Sequence, residues 1–200
     1  MDISDALDKA RRLLYDYMPM EDEHWQVFVK DIRIRRFEKN DFIIREGEVE
    51  KYLSIVLDGC TRHFVIAKGQ DISFDFSFQY EFNCAYASFI QQLPSKFFIQ
   101  ALRPTTLASI PHSFLQGLYE AYPESNKFGR TAVEQYYIFR EEREVALLTK
   151  TASERYRTLL DKYPEYVEEI PLKYLATYLN IQPESLSRIR SAESKKRSAS

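Results

Sequence analysis

Cysteine, glycine and histidine are scarce in this chain of 200 residues, with two, five and three copies. Cys60 and Cys84 stand 24 positions apart without a CxxC or Cys/His spacing, so a disulfide is not expected and both read as small apolar residues of a reducing compartment. Five glycines and eight prolines exclude a collagen-like or low-complexity chain. No run reaches the roughly 18 apolar residues that cross a bilayer. The amino terminus, MDISDALDKARRLLYDYM, carries Asp2 and Asp5 and lacks the apolar core of about 7 to 15 residues of a secretory signal. A cytoplasmic protein is expected. Charge of one sign is missing too. The 28 basic and 30 acidic residues leave −2, so any nucleic acid must be met by a local patch. His24, His63 and His112 are isolated, with no HxH pair and no HExxH, GxSxG or Gly-rich phosphate loop, so neither a metal site nor an enzyme is expected.

What is present is apolar and aromatic. The hydrophobic share is 44%, with 14 Phe and 14 Tyr, enough for a sizeable core. Ile3, Leu7 and Leu14, then Trp25, Phe28 and Val29, recur at helical spacing, and Met18-Pro19 divides them into two short helices. From residue 31 the period changes to two. Ile32, Ile34 and Phe37 alternate with arginines, and short β-rich runs follow at 42–44, 52–57, 63–66, 72–78, 97–102 and 106–110. Asn40, Gly47, Gly59 and Gly69 lie in the separators, where positive φ or Asx-type turns are needed. Six or more strands at this spacing indicate a sandwich or barrel. The stripe Phe74, Phe76, Phe78, Tyr80 reads as a core-facing strand rather than a stacking platform.

Beyond Pro111 the pattern is helical. Ser113 is a candidate cap for a short helix carrying Phe114, Leu115, Leu118 and Tyr119. Residues 125–150 then form a long helix whose steps of four and three from Phe128 to Thr149, widened by Val133, Tyr136, Tyr137 and Leu147, make it the candidate dimer seam. Thr151-Ala152-Ser153-Glu154 is a capping box that starts a further helix, which Pro164 stops. Residues 171–190, PLKYLATYLNIQPESLSRIR, carry the most information. Leu172, Leu175, Ala176 and Leu179 face inward, Asn180 supplies a left-handed turn, Ile181 plugs it, and Pro183 opens a second helix that returns Leu186 and Ile189 to the first. This is helix-turn-helix spacing. On the outer side Arg188 suits a guanine edge, Glu184 a cytosine amine, and Ser185 and Ser187 a phosphate or base. Residues 1–149 hold 18 basic and 23 acidic side chains and the last 51 hold 10 and 7, so basic charge gathers at the reading end.

The order of strand-rich module, long helix and terminal helix-turn-helix resembles the Crp/Fnr transcription regulators, and residues 153–190 are similar to the form found in Bacteroidetes-type members. REGE around Gly47 and VLDG around Gly59 are similar to jelly-roll turns of the cyclic-nucleotide-binding fold. The resemblance implies an α+β chain: a jelly-roll sensor with flanking helices over 1–124, a connecting and dimerisation helix over 125–150, and a small all-α DNA-binding domain over 151–190. The Ser- and Lys-rich residues 191–200 read as a disordered basic tail. The resemblance also implies a homodimer reading a two-fold-related operator, with double-stranded DNA as partner, RNA polymerase as a further candidate partner and no membrane. The DNA-reading set is Gln182, Glu184, Ser185, Ser187, Arg188 and Arg190. Pro183 stands where some members have an arginine, so the preferred sequence should differ.

The departures concern the ligand. In nucleotide-binding members a Gly-Glu pair holds the ribose and an arginine meets the phosphate. EFNCAYASF places Cys84 and Ala85 at that pair, and Leu93-Pro94-Ser95-Lys96 offers no arginine. The region of Cys84, Ala85, Ser88, Ser95 and Lys96 is therefore a degenerate pocket, and no cyclic-nucleotide binding is expected. Two cysteines exclude the four-thiolate cluster of some relatives, and the three histidines read as packed or exposed residues rather than haem ligands. No cofactor is expected; an unidentified small-molecule effector is left open. The competing reading is a dimeric ligand-sensing or protein-interaction module without specific DNA binding.

Overall fold

From Arg33 to Pro111 the chain builds two four-stranded sheets, interrupted by one short helix. A computed structural model describes residues 2–15, 22–122 and 125–198; the expected break at Met18-Pro19 lies outside them. Strands β1 (Arg33–Phe37), β2 (Phe42–Ile44), β3 (Tyr52–Asp58), β4 (Thr61–Ala67), β5 (Gln70–Ser77), β6 (Phe82–Asn83), β7 (Phe98–Ala101) and β8 (Thr105–Pro111) form sheets of order β1-β8-β3-β6 and β2-β7-β4-β5. First and last strands pair with Arg33 opposite Ser109 and Phe37 opposite Thr105, and β3 runs along the other side of β8. This is the sandwich that the strand spacing predicts, in the jelly-roll form that the resemblance implies.

The turns have local causes. Lys68 and Gly69 both take positive φ between β4 and β5, as a tight hairpin needs. Gly59 has φ +107°, and a Cβ there would fall 2.4 Å from the Thr105 hydroxyl oxygen, so no other residue fits. Between the sheets, Ile43, Ile44, Val56, Ala85, Ile99, Ala101 and Leu107 form one buried cluster, with Phe37 and Phe97 against it. Cys60 is buried, Cys84 is half-buried, and both are free thiols.

Helices α1 (Ile3–Tyr15) and α2 (Asp22–Asp31) precede the strands. Ala6 and Ala10 let α1 approach Ile55, Leu57 and Ala108 closely. Trp25 packs with Leu53, Phe89, Ile110 and Leu115, bringing α2 together with α3 (Tyr86–Gln91) and α4 (His112–Ala121). Ser113 does not cap α4: the helix begins at His112 with Pro111 before it, because the extended residue that ends β8 already serves as the boundary. The long helix α5 spans Ser125–Thr149, 25 residues, as the spacing predicts. It leaves Tyr137 66% and Leu148 81% exposed, with Val133, Ile138 and Val145 also exposed.

The remaining helices are α6 (Ala152–Lys162), α7 (Pro164–Glu169), α8 (Leu172–Tyr178) and α9 (Pro183–Ser198). Pro164 ends α6 and also opens α7, where a missing amide hydrogen costs nothing. Residues 191–198, expected as a disordered tail, continue α9 instead, and Glu193 is buried there with its carboxylate on Arg157, 3.2 Å away. The chain falls into two compact units, Met1–His63 with Phe76–Gln135, and Phe64–Asp75 with Tyr136–Ser200. No described helix is long and apolar enough to cross a membrane.

Candidate nucleic-acid interface

The second unit is assembled by caps. Thr151 accepts from the Glu154 amide at 3.3 Å, while the Glu154 carboxylate accepts from the Thr151 amide at 2.8 Å, so the capping box forms and α6 starts where expected. These bonds hold the exposed Glu154 carboxyl below its ordinary range, the Thr151 hydroxyl contributing most. Helix α8 ends in a Schellman turn. The Ile181 amide donates to Ala176 O and the Asn180 amide to Thr177 O, both at 3.0 Å, with Asn180 at φ +53°. Gln182 then accepts from the Ser185 and Leu186 amides, and α9 begins at Pro183. Leu175, Ala176 and Leu186 are fully buried, so α8 and α9 pack through a small residue opposite larger ones.

Two arginines fasten the end of α8 within this unit. Arg143, from α5, donates to Tyr178 O at 3.0 Å with its guanidinium 4.4 Å from the Tyr178 ring centroid. Arg155, from α6, donates to Leu179 O through Nε at 3.2 Å and Nη2 at 2.8 Å. Both cations sit at the negative end of the α8 dipole. Arg155 lies below its usual range, first because it is partly buried and then because Arg143 is near. Burial pushes the Tyr178 phenol well up. The tip of the β4–β5 hairpin belongs to the same unit: the Ser73 amide donates to the Thr177 hydroxyl at 3.1 Å, and the Tyr136 hydroxyl donates to Asp75 at 2.8 Å. Sequence spacing carried no signal for these long-range bonds, although Arg155 could have been noticed one turn inside a capping-box helix.

Gln182, Glu184, Ser187 and Arg188 are exposed around the start of α9, while Ser185 and Arg190 are half-buried. Arg188 Nη2 donates to Ser185 Oγ at 3.4 Å, so these two share one side of the helix. The opposite side carries Leu186. The arrangement offers a forked cation, a carboxylate, an amide and hydroxyls within the first two turns of one helix.

Around Cys84, Ala85, Ser88, Ser95 and Lys96 the chain bonds to itself. Ala85 is fully buried and its amide donates to Glu50 Oε2 at 3.4 Å. Ser88 Oγ accepts from the Glu50 amide at 3.0 Å and donates to Leu93 O. Ser95 Oγ donates to Phe97 O at 2.8 Å, and Lys96 points to solvent as an exposed residue. Burial raises the Cys84 thiol far above its usual value. Nearby, the His63 ring stacks on Phe97 at 5.9 Å, and Asn83 Nδ2 donates to Thr61 Oγ1 at 2.6 Å and lies 3.3 Å from His63 Nε2. The His112 ring rests edge-on against Phe89, and the His24 side chain is outside the described ones. Among the described residues no three His, Cys, Asp or Glu side chains gather as a metal site.

Residues 34–122 match the family model of the cyclic nucleotide-binding domain. Among solved structures, FixK2 from Bradyrhizobium japonicum superposes with a TM-score of 0.70 at 17% identity, over 82% of this chain and 85% of that one. A CooA mutant from Carboxydothermus hydrogenoformans gives 0.69 at 15%, over 92% and 84%. A transcriptional regulator of the crp/fnr family from Eubacterium rectale gives 0.68 at 16%, over 90% and 88%. The chain shares the fold of these solved structures. At these identities the likeness is one of architecture, and it extends through both the jelly roll and the helices that follow. No curated protein matches the chain by sequence. The long helix α5 precedes the four helices α6–α9 in the chain.

Proposed function

We propose that the chain is a DNA-binding transcription regulator that works as a homodimer and does not catalyse a reaction. The observation that carries this is the α8–turn–α9 geometry, in which buried Leu175, Ala176 and Leu186 fix the crossing while Gln182, Glu184, Ser187 and Arg188 are left exposed. Ser185 and Arg190 complete the reading set from its edges. The exposed apolar residues of α5, above all Tyr137, Ile138, Val145 and Leu148, supply the dimer seam, since an isolated helix would not keep them in water. Two copies of α9 then read two half-sites about 34 Å apart, with RNA polymerase as the downstream partner.

The sensor does not take up a cyclic nucleotide in the usual manner. Ala85 lacks the carboxylate for a ribose, the Ser95 hydroxyl is spent on Phe97, and Lys96 is a point charge in solvent without a planar fork. The test is selection of the full chain against a random duplex pool, followed by sedimentation. Enrichment of one two-fold-related sequence bound by a dimer is expected. Absence of enrichment, or a monomer at working concentration, overturns the assignment and leaves a protein-interaction module.

A further inference from the structure

The jelly roll holds a cavity that the DNA reading does not use. It lies at the β2–β3 loop, has a volume of about 490 Å³, and is lined by Arg35, Ile43, Ile44, Glu48, Val49, Glu50, Lys51 and Tyr52. That size is within the range of small-molecule sites. Arg35 is its unusual member. The guanidinium carbon sits 4.9 Å from the Phe37 ring centroid and 4.6 Å from the Tyr52 ring centroid, so two aromatic faces hold the cation in place. Nη2 reaches only Ile43 O, at 3.4 Å, and Nη1 is buried with no hydrogen-bond partner. A guanidinium carries five donors, and an unfilled one away from water is costly. Across the same cavity Glu50 is 4% exposed and accepts from the Tyr52 amide at 3.1 Å and the Ala85 amide at 3.4 Å. It faces Arg35 without forming an ion pair with it. The cavity thus has a cation held between aromatic rings, the buried carboxyl of Glu50, the exposed Glu48 and Lys51, and an apolar wall of Ile43, Ile44 and Val49.

We infer that this cavity binds a free α-amino acid with an apolar side chain, its carboxylate on Arg35, its ammonium on Glu50 and Glu48, and its side chain on Ile43, Ile44 and Val49. A planar carboxylate matches the guanidinium fork, and the ammonium supplies the positive charge that Glu50 lacks in direct contact. A ligand with only one of these charges would leave either the arginine or the carboxylates uncompensated. A second acidic group on the ligand would meet Glu48 and Glu50. The inference concerns binding to the roll alone and stands whether or not α9 reads DNA.

Calorimetric titration of the full chain, without DNA, tests it with three probes: L-leucine, 3-methylbutylamine, which lacks its carboxylate, and 4-methylpentanoate, which lacks its ammonium. Leucine is expected to bind at least about tenfold more tightly than either half, and L-aspartate to bind more weakly than leucine. Arg35→Gln is expected to lower leucine affinity by about tenfold or more. Val49→Trp, which fills the cavity from its rim, serves if Arg35→Gln does not fold; it should abolish binding while the thermal unfolding transition persists. No heat from leucine at about 10 mM, equal binding of the two halves, or full binding by folded Val49→Trp overturns the proposal.

Discussion

Replacing Arg188 by Ala separates reading from folding. The side chain is exposed and its one hydrogen bond among the described residues is the 3.4 Å contact to Ser185. The free protein should lose less than about 0.5 kcal/mol of stability, as for other surface sites without special contacts. A forked contact to guanine is worth about 1 to 3 kcal/mol, and a dimer makes it twice, so the loss on the selected duplex is about 2 to 6 kcal/mol. The lower figure already corresponds to about 30-fold in affinity. Fluorescence anisotropy of wild type and Arg188→Ala, on the selected duplex and on a scrambled one, over a series of salt concentrations, measures this. Affinity for the selected duplex should fall by at least that factor while the salt slope stays the same, because base contacts release no counterions. Equal losses on both duplexes, with a shallower salt slope, would show that Arg188 meets phosphate only. No loss on either would remove α9 from the reading surface.

Three further outcomes follow from the packing. Leu186→Ala empties a fully buried position between α8 and α9, so urea unfolding should show a loss of about 2 to 5 kcal/mol with specific binding reduced in parallel; an unchanged midpoint would mean that the two helices are not held by this contact. Gly59→Ala forces a Cβ within 2.4 to 2.7 Å of Thr105 at φ +107°, and should cost at least about 1 to 3 kcal/mol from backbone strain alone; retention of the wild-type melting temperature would refute it. The Glu50 carboxyl is raised mainly by burial, which its hydrogen bonds from Tyr52 and Ala85 offset only in part. A raised acid binds protons more readily folded than unfolded, so native stability drops as pH climbs from the unfolded value near 4.3 through the folded one. Glu50→Gln should therefore raise the melting temperature near pH 7 relative to wild type, with the gain vanishing near pH 4. A loss of equal size at both pH values would show that the charge is not the cost.

The parts legible in the sequence were those set by neighbours along the chain. Period-two runs with Gly59 and Gly69 between them gave the strands, Thr151 and Glu154 gave the start of α6, and Asn180 before Pro183 gave the turn into α9. Ser113 misled because a cap depends on where the preceding strand stops, and here Pro111 ends the strand and stands at the cap position two residues before Ser113. The tail misled because its composition is polar, whereas its helicity is supported by a distant partner, Arg157. The spacing around Leu186 and Ile189 located the outward residues Glu184, Ser187 and Arg188 of α9, but no spacing rule could place Asp75 beside Tyr136 or Arg35 between Phe37 and Tyr52. Such contacts join residues brought together only by the sheets, where long-range burial decides.

The allotment of the β4–β5 tip to the carboxy-terminal body has a consequence for how this protein can be cut or recombined. Twelve residues of the roll, Phe64–Asp75, are structurally part of a body whose other members begin at Tyr136. The two bodies are interlaced in the primary chain rather than strung in series. A fragment starting at the linker would leave the Thr177 hydroxyl and the Tyr136 phenol without their mates, and a chimera joined at that point would graft a head onto a foreign hairpin. An exchangeable cassette has to carry both segments.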